Sequence, residues 1–421
     1  MRSTIHNASN ANATTHTART AVPVDDTDRS DREMTEELMN EESVPLPPPS
    51  VPADIRTLRV ALPLITVSWV ILLTILVMAT VRIQRWELAP GEAMEVSPRI
   101  GFMPAHEGGA VPQRYVADNG IRFVTAFGGQ LSVLDSILGW IDPHVRVDTY
   151  RDHFGQQTPT TSRRLGFQAM TGAKQIAEFV AMSKLGLDAK LEEGPILIEE
   201  LVCQGAPAEN SACVNLHVGE QITHMDGVAT PTLSKLAVEI KKHSVGDVVK
   251  LTVLPYLAPE DDPATRKPKN VLVTLMANPD DERAIIGFIP ADTRVTRLPF
   301  EVNISTTDIG GPSAGLAFTL ALLDELTPGN LMGKGRVAAT GTMDELQHVG
   351  AIGALEQKAI AVRDSGASLF LVPAGQSSDE MKAARAAAGS GVRIVQVATL
   401  DEALKQLAKN GGAPLPKSLK K

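Results

Sequence analysis

Residues 60–81 read VALPLITVSWVILLTILVMATV, an apolar run without a single charge. About 20 such residues cross the hydrocarbon core of a bilayer as one helix. The run is apolar on every side, whereas a helix at the surface of a soluble core keeps a polar face. A cleaved signal peptide has a shorter apolar stretch nearer the start of a chain. The sequence therefore predicts one transmembrane helix over 60–81, with Pro63 in its first turn, where a missing N–H is tolerated. Lipid is one expected partner, and Trp86 and the flanking arginines suit its interface. Arg56 and Arg59 precede the run and Arg82, Arg85 and Arg99 follow it, so charge alone selects no orientation.

This run divides the chain. Residues 1–56 are polar and acidic, end near Pro47-Pro48-Pro49, and are too poor in apolar side chains to build a core, so a disordered tail is expected. The remainder is long enough for two or three domains, and its expected class is α+β multidomain. With a net charge of −9 and no basic run interleaved with aromatics, nucleic acid is not an expected partner. The nine histidines are scattered and form no HExxH, which argues against a metalloprotease; no metal and no cofactor are expected. Cys203 and Cys213 lack the CxxC spacing of a zinc knuckle. The residues alone leave two readings of them, separate thiols or one disulfide, and the compartment decides.

Residues 87–190 read as a membrane-proximal mixed region: Pro- and Gly-rich and extended over 87–110, with a helix over 173–185 carrying Ile176, Val180 and Leu185 on one side and ending at Gly186. No chemistry attaches to this region. From 191 the pattern changes. Gly194-Pro195-Ile196-Leu197-Ile198 reads as a short strand, Gly205-Ala206-Pro207-Ala208 as a turn, and Asp226-Gly227 as a hairpin turn. An amphipathic helix spans 233–243, and Gly246-Asp247 leads into a strand over 249–253. In this order the pieces resemble the bacterial PDZ domains of secreted and membrane proteases. The resemblance implies a β-rich domain over 191–277 whose peptide groove runs along Gly194, Ile196 and Ile198, with the helix 233–243 as its other wall. Such a groove takes an extended peptide as an added strand.

Two further signals lie in residues 278–409. Gly310-Gly311-Pro312-Ser313-Ala314-Gly315 precedes an apolar helix whose free N–H groups could hold an oxyanion; equally, Ser313 could be a helix N-cap. Lys358 stands at helical spacing with Leu355, Ala359 and Val362, on the apolar stripe. A lysine there either snorkels to water or is desolvated, and desolvation lowers its pKa and leaves an amine able to take a proton from a serine. Gly311-Pro312-Ser313-Ala314-Gly315, Ala339-Thr340-Gly341-Thr342, the turn Gly350-Ala351-Ile352-Gly353-Ala354 leading to Lys358, and Leu369-Phe370-Leu371-Val372-Pro373 together resemble the proteolytic domain of Lon proteases. By that resemblance Ser313 is the nucleophile, Lys358 the general base, and Thr340 a residue orienting the pair. The oxyanion donors are expected among the amides of Gly311, Ser313 and Ala314.

The chain departs from the family pattern at Gly310, where an acidic residue is common, and at Ala351-Ile352-Gly353-Ala354, where Pro-Ile-Gly-Gly is usual. Gly329 to Gly335 lacks the spacing and hydroxyl of a phosphate loop, so nucleotide is not an expected partner. A span, a PDZ-like domain and a Lon-type domain together resemble the membrane-anchored PDZ–Lon peptidases of bacteria. That likeness implies a single-pass cell-membrane protein with its N-terminus cytoplasmic and its protease part outside. It implies protein or peptide substrates, allows an oligomer, and makes a Cys203–Cys213 disulfide the expected state. A short flexible tail is expected over 410–421. Two other readings compete. One is a GxSxG esterase with Asp344 and His348 as partners of Ser313. The other is a membrane-tethered PDZ adaptor with an idle protease-like domain.

Overall fold

A computed structural model of the chain describes residues 55–416 apart from 108, 117–118, 143, 156, 204–207, 258–261, 279–280, 292 and 307–308. The tail expected over 1–56 lies outside the described residues as far as residue 54, as do the Gly205-Ala206-Pro207 turn, Asp308, and residues 417–421 of the expected C-terminal tail. The described part opens with the helix Ile55–Thr80. Its stretch Arg59–Thr80 is long and apolar enough to cross a membrane, and its leucines, isoleucines and valines are exposed.

A six-stranded mixed sheet begins two residues later. Its strands lie in the order Arg393–Val397, Leu369–Pro373, Val337–Ala339, Arg122–Ser132, Arg82–Glu95 and Arg146–Thr149. The first four are parallel, and the last two pair antiparallel. The helix Gly315–Leu326 is buried along its whole length. It packs between this sheet and the helix Pro159–Lys184, with Phe318 against Phe123 at 5.6 Å between ring centres. Ile176, Val180 and Met170 share one core with Leu316, Leu320 and Leu323.

Residues 87–190 are therefore not a region apart, as the sequence pattern suggests, but supply half of the sheet and one layer of helix to the unit that holds 295–409. Two features hide this in the sequence. Pro90 and Gly91 sit at a break in the pairing register of Arg82–Glu95, where alternation of polar and apolar residues fails. The partner strands also lie some 200 positions away, so no local pattern announces them.

The segment between is an insertion. Lys190–Glu192 leaves and Val295–Arg297 returns, and the two pair antiparallel with each other. The inserted unit holds a second six-stranded sheet: Lys269–Thr274, Val248–Leu254, Gln221–Met225, Ile196–Leu201 and Phe288–Pro290, with Val228–Ala229 paired on Gln221–Met225. Asp226 and Gly227 both take positive φ, 50° and 83°, which turns this hairpin with the twist of its strands. The helix Leu233–Ile240 packs Leu236 onto Ile196, Ile222, Leu251 and Val253. Hydrogen bonds from Thr296 to Gln175 tie the returning strand to the larger sheet's helix layer.

The edge expected to receive a peptide is already paired. Phe288–Pro290 lies antiparallel to Ile196–Leu201, on the side opposite Gln221–Met225. The Ala291 amide continues this pairing onto the Leu197 carbonyl at 2.9 Å. The side chains of Ile196 and Ile198 are buried in the core, and a Cβ on Gly194 would strike the Thr293 carbonyl. The strand edge expected to be open along Gly194, Ile196 and Ile198 is thus taken by the chain itself, because the segment that returns to the larger unit runs along it; a cleft of about 370 Å³ remains between Gly194, Ile196 and the helix residues Leu233 and Ala237.

Cys203 and Cys213 form a disulfide with Cα atoms 5.8 Å apart. In the chain-entropy account, a loop of this size loses about 3 kcal/mol of stabilisation when the bridge is removed. Reduction, or Cys203→Ser with Cys213→Ser, is expected to lower the denaturation midpoint of the inserted unit accordingly. An unchanged midpoint would show that the bridge constrains nothing.

Candidate active site

The serine turn is built on glycine. Gly311 takes φ +93°, a conformation that side chains rarely adopt, and its amide donates to the Gly166 carbonyl at 2.7 Å. Gly166 lies within the helix Pro159–Lys184, where glycine costs about 1 kcal/mol against alanine. The close approach needs glycine at 310, where a Cβ would lie 3.1 Å from the Gly166 carbonyl carbon; a Cβ on Gly166 would meet 310–311 at ordinary contact, 3.6 Å or more. No sequence signal marked Gly166; a glycine in an otherwise helical stretch was the one available clue.

Ser313 follows in the turn, and the helix Gly315–Leu326 begins behind it with Ala314 at the N-cap and no side-chain cap bond. The N-cap alternative for Ser313 therefore does not hold. Its carbonyl is fixed twice, by the Gly341 amide at 2.8 Å and the Thr340 hydroxyl at 3.1 Å. Thr340 is fully buried, and its amide donates to the Leu371 carbonyl at 3.0 Å, so the strand end Val337–Ala339 sets the position of the serine turn. Gly315 allows this close approach: a Cβ there would lie 2.9 Å from the Met343 amide nitrogen.

Lys358 comes from the helix Leu355–Asp364, in which Leu355, Gln357, Ala359 and Val362 are also buried. Its side chain does not snorkel. The residue is 5% exposed, and its Nζ donates to Ser313 Oγ at 2.9 Å. Burial pushes its pKa down from 10.5 to about 8, and no carboxylate contributes to that shift. A buried ammonium loses hydration that one bond to a serine hydroxyl does not replace, so the neutral amine is favoured.

The helix Leu355–Asp364 starts at Ala354, which sits in the left-handed region at φ 58°, ψ 37°. This conformation costs an L-residue about 1–2 kcal/mol. The departure from Pro-Ile-Gly-Gly thus falls on the position where glycine relieves strain. Ala354→Gly is expected to raise stability by about 0.5–1 kcal/mol, the relief being partly offset by the freer unfolded chain. Chemical denaturation reads this; a loss of stability would contradict it.

Ser313 and Lys358 open on a cleft of about 650 Å³ whose apolar wall includes Met94, Phe123, Met170 and Ile309. Its rim carries Pro90, Gly91 and Glu92, and the Thr125 hydroxyl holds both the amide and the carbonyl of Glu92, at 3.0 and 3.2 Å. Of the three amides expected as oxyanion donors, that of Gly311 is spent on Gly166. Among the described residues the amides of Ser313 and Ala314 have no backbone acceptor. Asp344 and His348 are brought together, Oδ2 to Nδ1 at 2.9 Å, but as an exposed pair within a turn. Among the described residues, the side chain that reaches Ser313 Oγ is Lys358 and not His348. Among the described residues no strand leads into the serine turn, as an esterase elbow requires. Among the described residues no cluster of His, Cys, Asp and Glu could hold a metal ion.

The chain is similar to the crystal structure of the PDZ domain of an SdrC-like protein from Listeria monocytogenes, with 22% identity, 24% of this chain and 94% of that one covered, and a TM-score of 0.19. The corresponding domain from Listeria innocua is 20% identical over 22% of this chain and 92% of that one, with a TM-score of 0.17. Residues 301–410, which contain Ser313, Thr340 and Lys358, match the family model of the Lon protease (S16) C-terminal proteolytic domain.

Proposed function

We propose that this chain is a membrane-anchored serine endopeptidase that cleaves protein or peptide substrates outside the cytoplasm without nucleotide. The observation that carries the reading is the 2.9 Å bond between Lys358 Nζ and Ser313 Oγ at a buried lysine, within a segment matching a proteolytic domain. The neutral Lys358 amine takes the Ser313 proton as Oγ attacks the scissile carbonyl carbon. The oxyanion that forms is met by the Ser313 and Ala314 amides. The Lys358 ammonium then gives its proton to the departing amine, leaving an acyl-serine. Water, deprotonated by the same amine, releases the acid and restores the hydroxyl. Thr340 acts through the Ser313 carbonyl and is a positioning residue.

The disulfide supports an oxidising compartment for the inserted unit, and the helix Arg59–Thr80 supports anchoring. A peptide selected at the Ile196–Leu201 edge has to displace Phe288–Pro290, so recognition there competes with the chain's own strand. The test is hydrolysis of an unfolded polypeptide by the detergent-solubilised full chain with nucleotide removed. Cleavage that is lost in Ser313→Ala supports the reading. A strict nucleotide requirement, or an unaffected variant, overturns it.

A further inference from the structure

The helix Val133–Ile141 (VLDSILGWI) turns its apolar side away from the protein. Gly139 faces inward: a Cβ there would lie 3.1 Å from a Val147 methyl and 3.4 Å from a Val145 methyl. Residues on the opposite arc of a helix are those two positions before and one or two after. Here they are Ile137, Trp140 and Ile141, with Leu138 beside them, and all four are exposed, Trp140 by 90% and Ile141 by 74%. The one charged side chain, Asp135, is used at the N-terminus, where it accepts from the Ser132 amide and faces Arg82 at 3.5 Å. The outward face therefore carries no charge. Contiguous apolar patches of this kind mark surfaces that are covered in use.

What covers this one follows from where it starts. The Val133 amide donates to the carbonyl of Val81, the residue directly after the apolar helix that ends at Thr80, at 3.1 Å. Arg82 pairs with Ser132 in the sheet. At 1.5 Å per residue the helix is about 14 Å long, so it stays close to the end of the span. We propose that Val133–Ile141 lies in the lipid interface of the bilayer that Arg59–Thr80 crosses, with Ile137, Leu138, Trp140 and Ile141 at the boundary of headgroups and acyl chains. Interfacial helices have this uncharged apolar face, and tryptophan favours that depth. The second anchor holds the sheet edge Arg146–Thr149, against which the helix packs, at a fixed attitude to the membrane.

The inference rests on the reading of Arg59–Thr80 as a span. The full chain, which has three tryptophans, is reconstituted as Trp69→Phe/Trp86→Phe in phosphatidylethanolamine–phosphatidylglycerol vesicles whose acyl chains are brominated near the headgroup. Trp140 emission is expected to fall at least twofold against unbrominated vesicles, and less with deep bromines. If that variant misfolds, the quenching lost between the unmodified chain and Trp140→Ser gives the same reading. Alkaline carbonate washing of the vesicles separates the two ideas. A chain that resists washing while Trp140 stays unquenched by lipid overturns the interfacial helix and leaves the span intact. The same holds if Trp140 is shielded from aqueous iodide without lipid quenching, which marks a protein–protein face. A chain washed from the vesicles overturns both.

Discussion

Ser313→Ala is expected to lower peptide-bond hydrolysis by at least about 10³-fold, and Lys358→Met by a similar factor. Removing the hydroxyl removes the nucleophile. Removing the amine leaves a serine of ordinary acidity with, among the described residues, no other side chain bonded to its hydroxyl. Because both act in one proton transfer, the double variant is expected to be no worse than either single one. Gel-based cleavage of an unfolded protein measures this, with circular dichroism showing that the fold persists. Full activity in Lys358→Met would sink the dyad. Activity lost in His348→Ala and kept in Lys358→Met would return the esterase reading.

The second large effect concerns stability. Burial pushes the Lys358 pKa down to about 8 in the folded chain, against 10.5 for a free lysine. Below pH 8 the side chain is charged in both states, and the folded state carries the whole cost of a buried ammonium. Between pH 8 and 10.5 the unfolded chain binds the proton more strongly, so folding stability rises with pH across that window. The difference corresponds to about 3 kcal/mol. Lys358→Met is therefore expected to stabilise the fold at pH 7 by up to about that amount and to remove the rise toward alkaline pH. Denaturation midpoints of both proteins at pH 7 and pH 10 test this. In the active enzyme the same titration should give a kcat/KM that climbs about tenfold per pH unit below 8 and levels above it. A variant that is destabilised at pH 7 would mean that the lysine is better accommodated than its burial implies.

The placement of the candidate site residues was more legible than the fold around them. The period of Leu355, Lys358, Ala359 and Val362 put the lysine on a buried stripe, and all four are buried. The glycines around Ser313 announced a tight backbone approach, and Gly311 has the positive φ that needs one. What faces those glycines was not legible. Gly166 lies far away in sequence, and a carbonyl accepting a hydrogen bond leaves no trace in residue type. Nor could local pattern show that Arg122–Ser132 lies beside Val337–Ala339, or that Phe288–Pro290 closes the edge beside Ile196–Leu201. Both are pairings between distant strands, and sequence periodicity reports the face of a strand rather than its neighbour. The cysteine pair was ambiguous for a related reason: ten positions of separation permit a bridge without requiring one.

The insertion between Lys190–Glu192 and Val295–Arg297 sets an order of events during synthesis. The strands Arg82–Glu95 and Arg122–Ser132 are made first, yet the edge of Arg122–Ser132 gains its parallel partner only when Val337–Ala339 arrives, after the whole inserted unit. At about 5–20 residues per second that delay is on the order of ten seconds or more, during which the inserted unit can close its own sheet and bridge. Ser313 and Lys358 both belong to the late segment. On the proposed reading, a nascent chain whose apolar helix has already been made carries neither Ser313 nor Lys358, and hydrolytic capacity would appear only once its final strands dock.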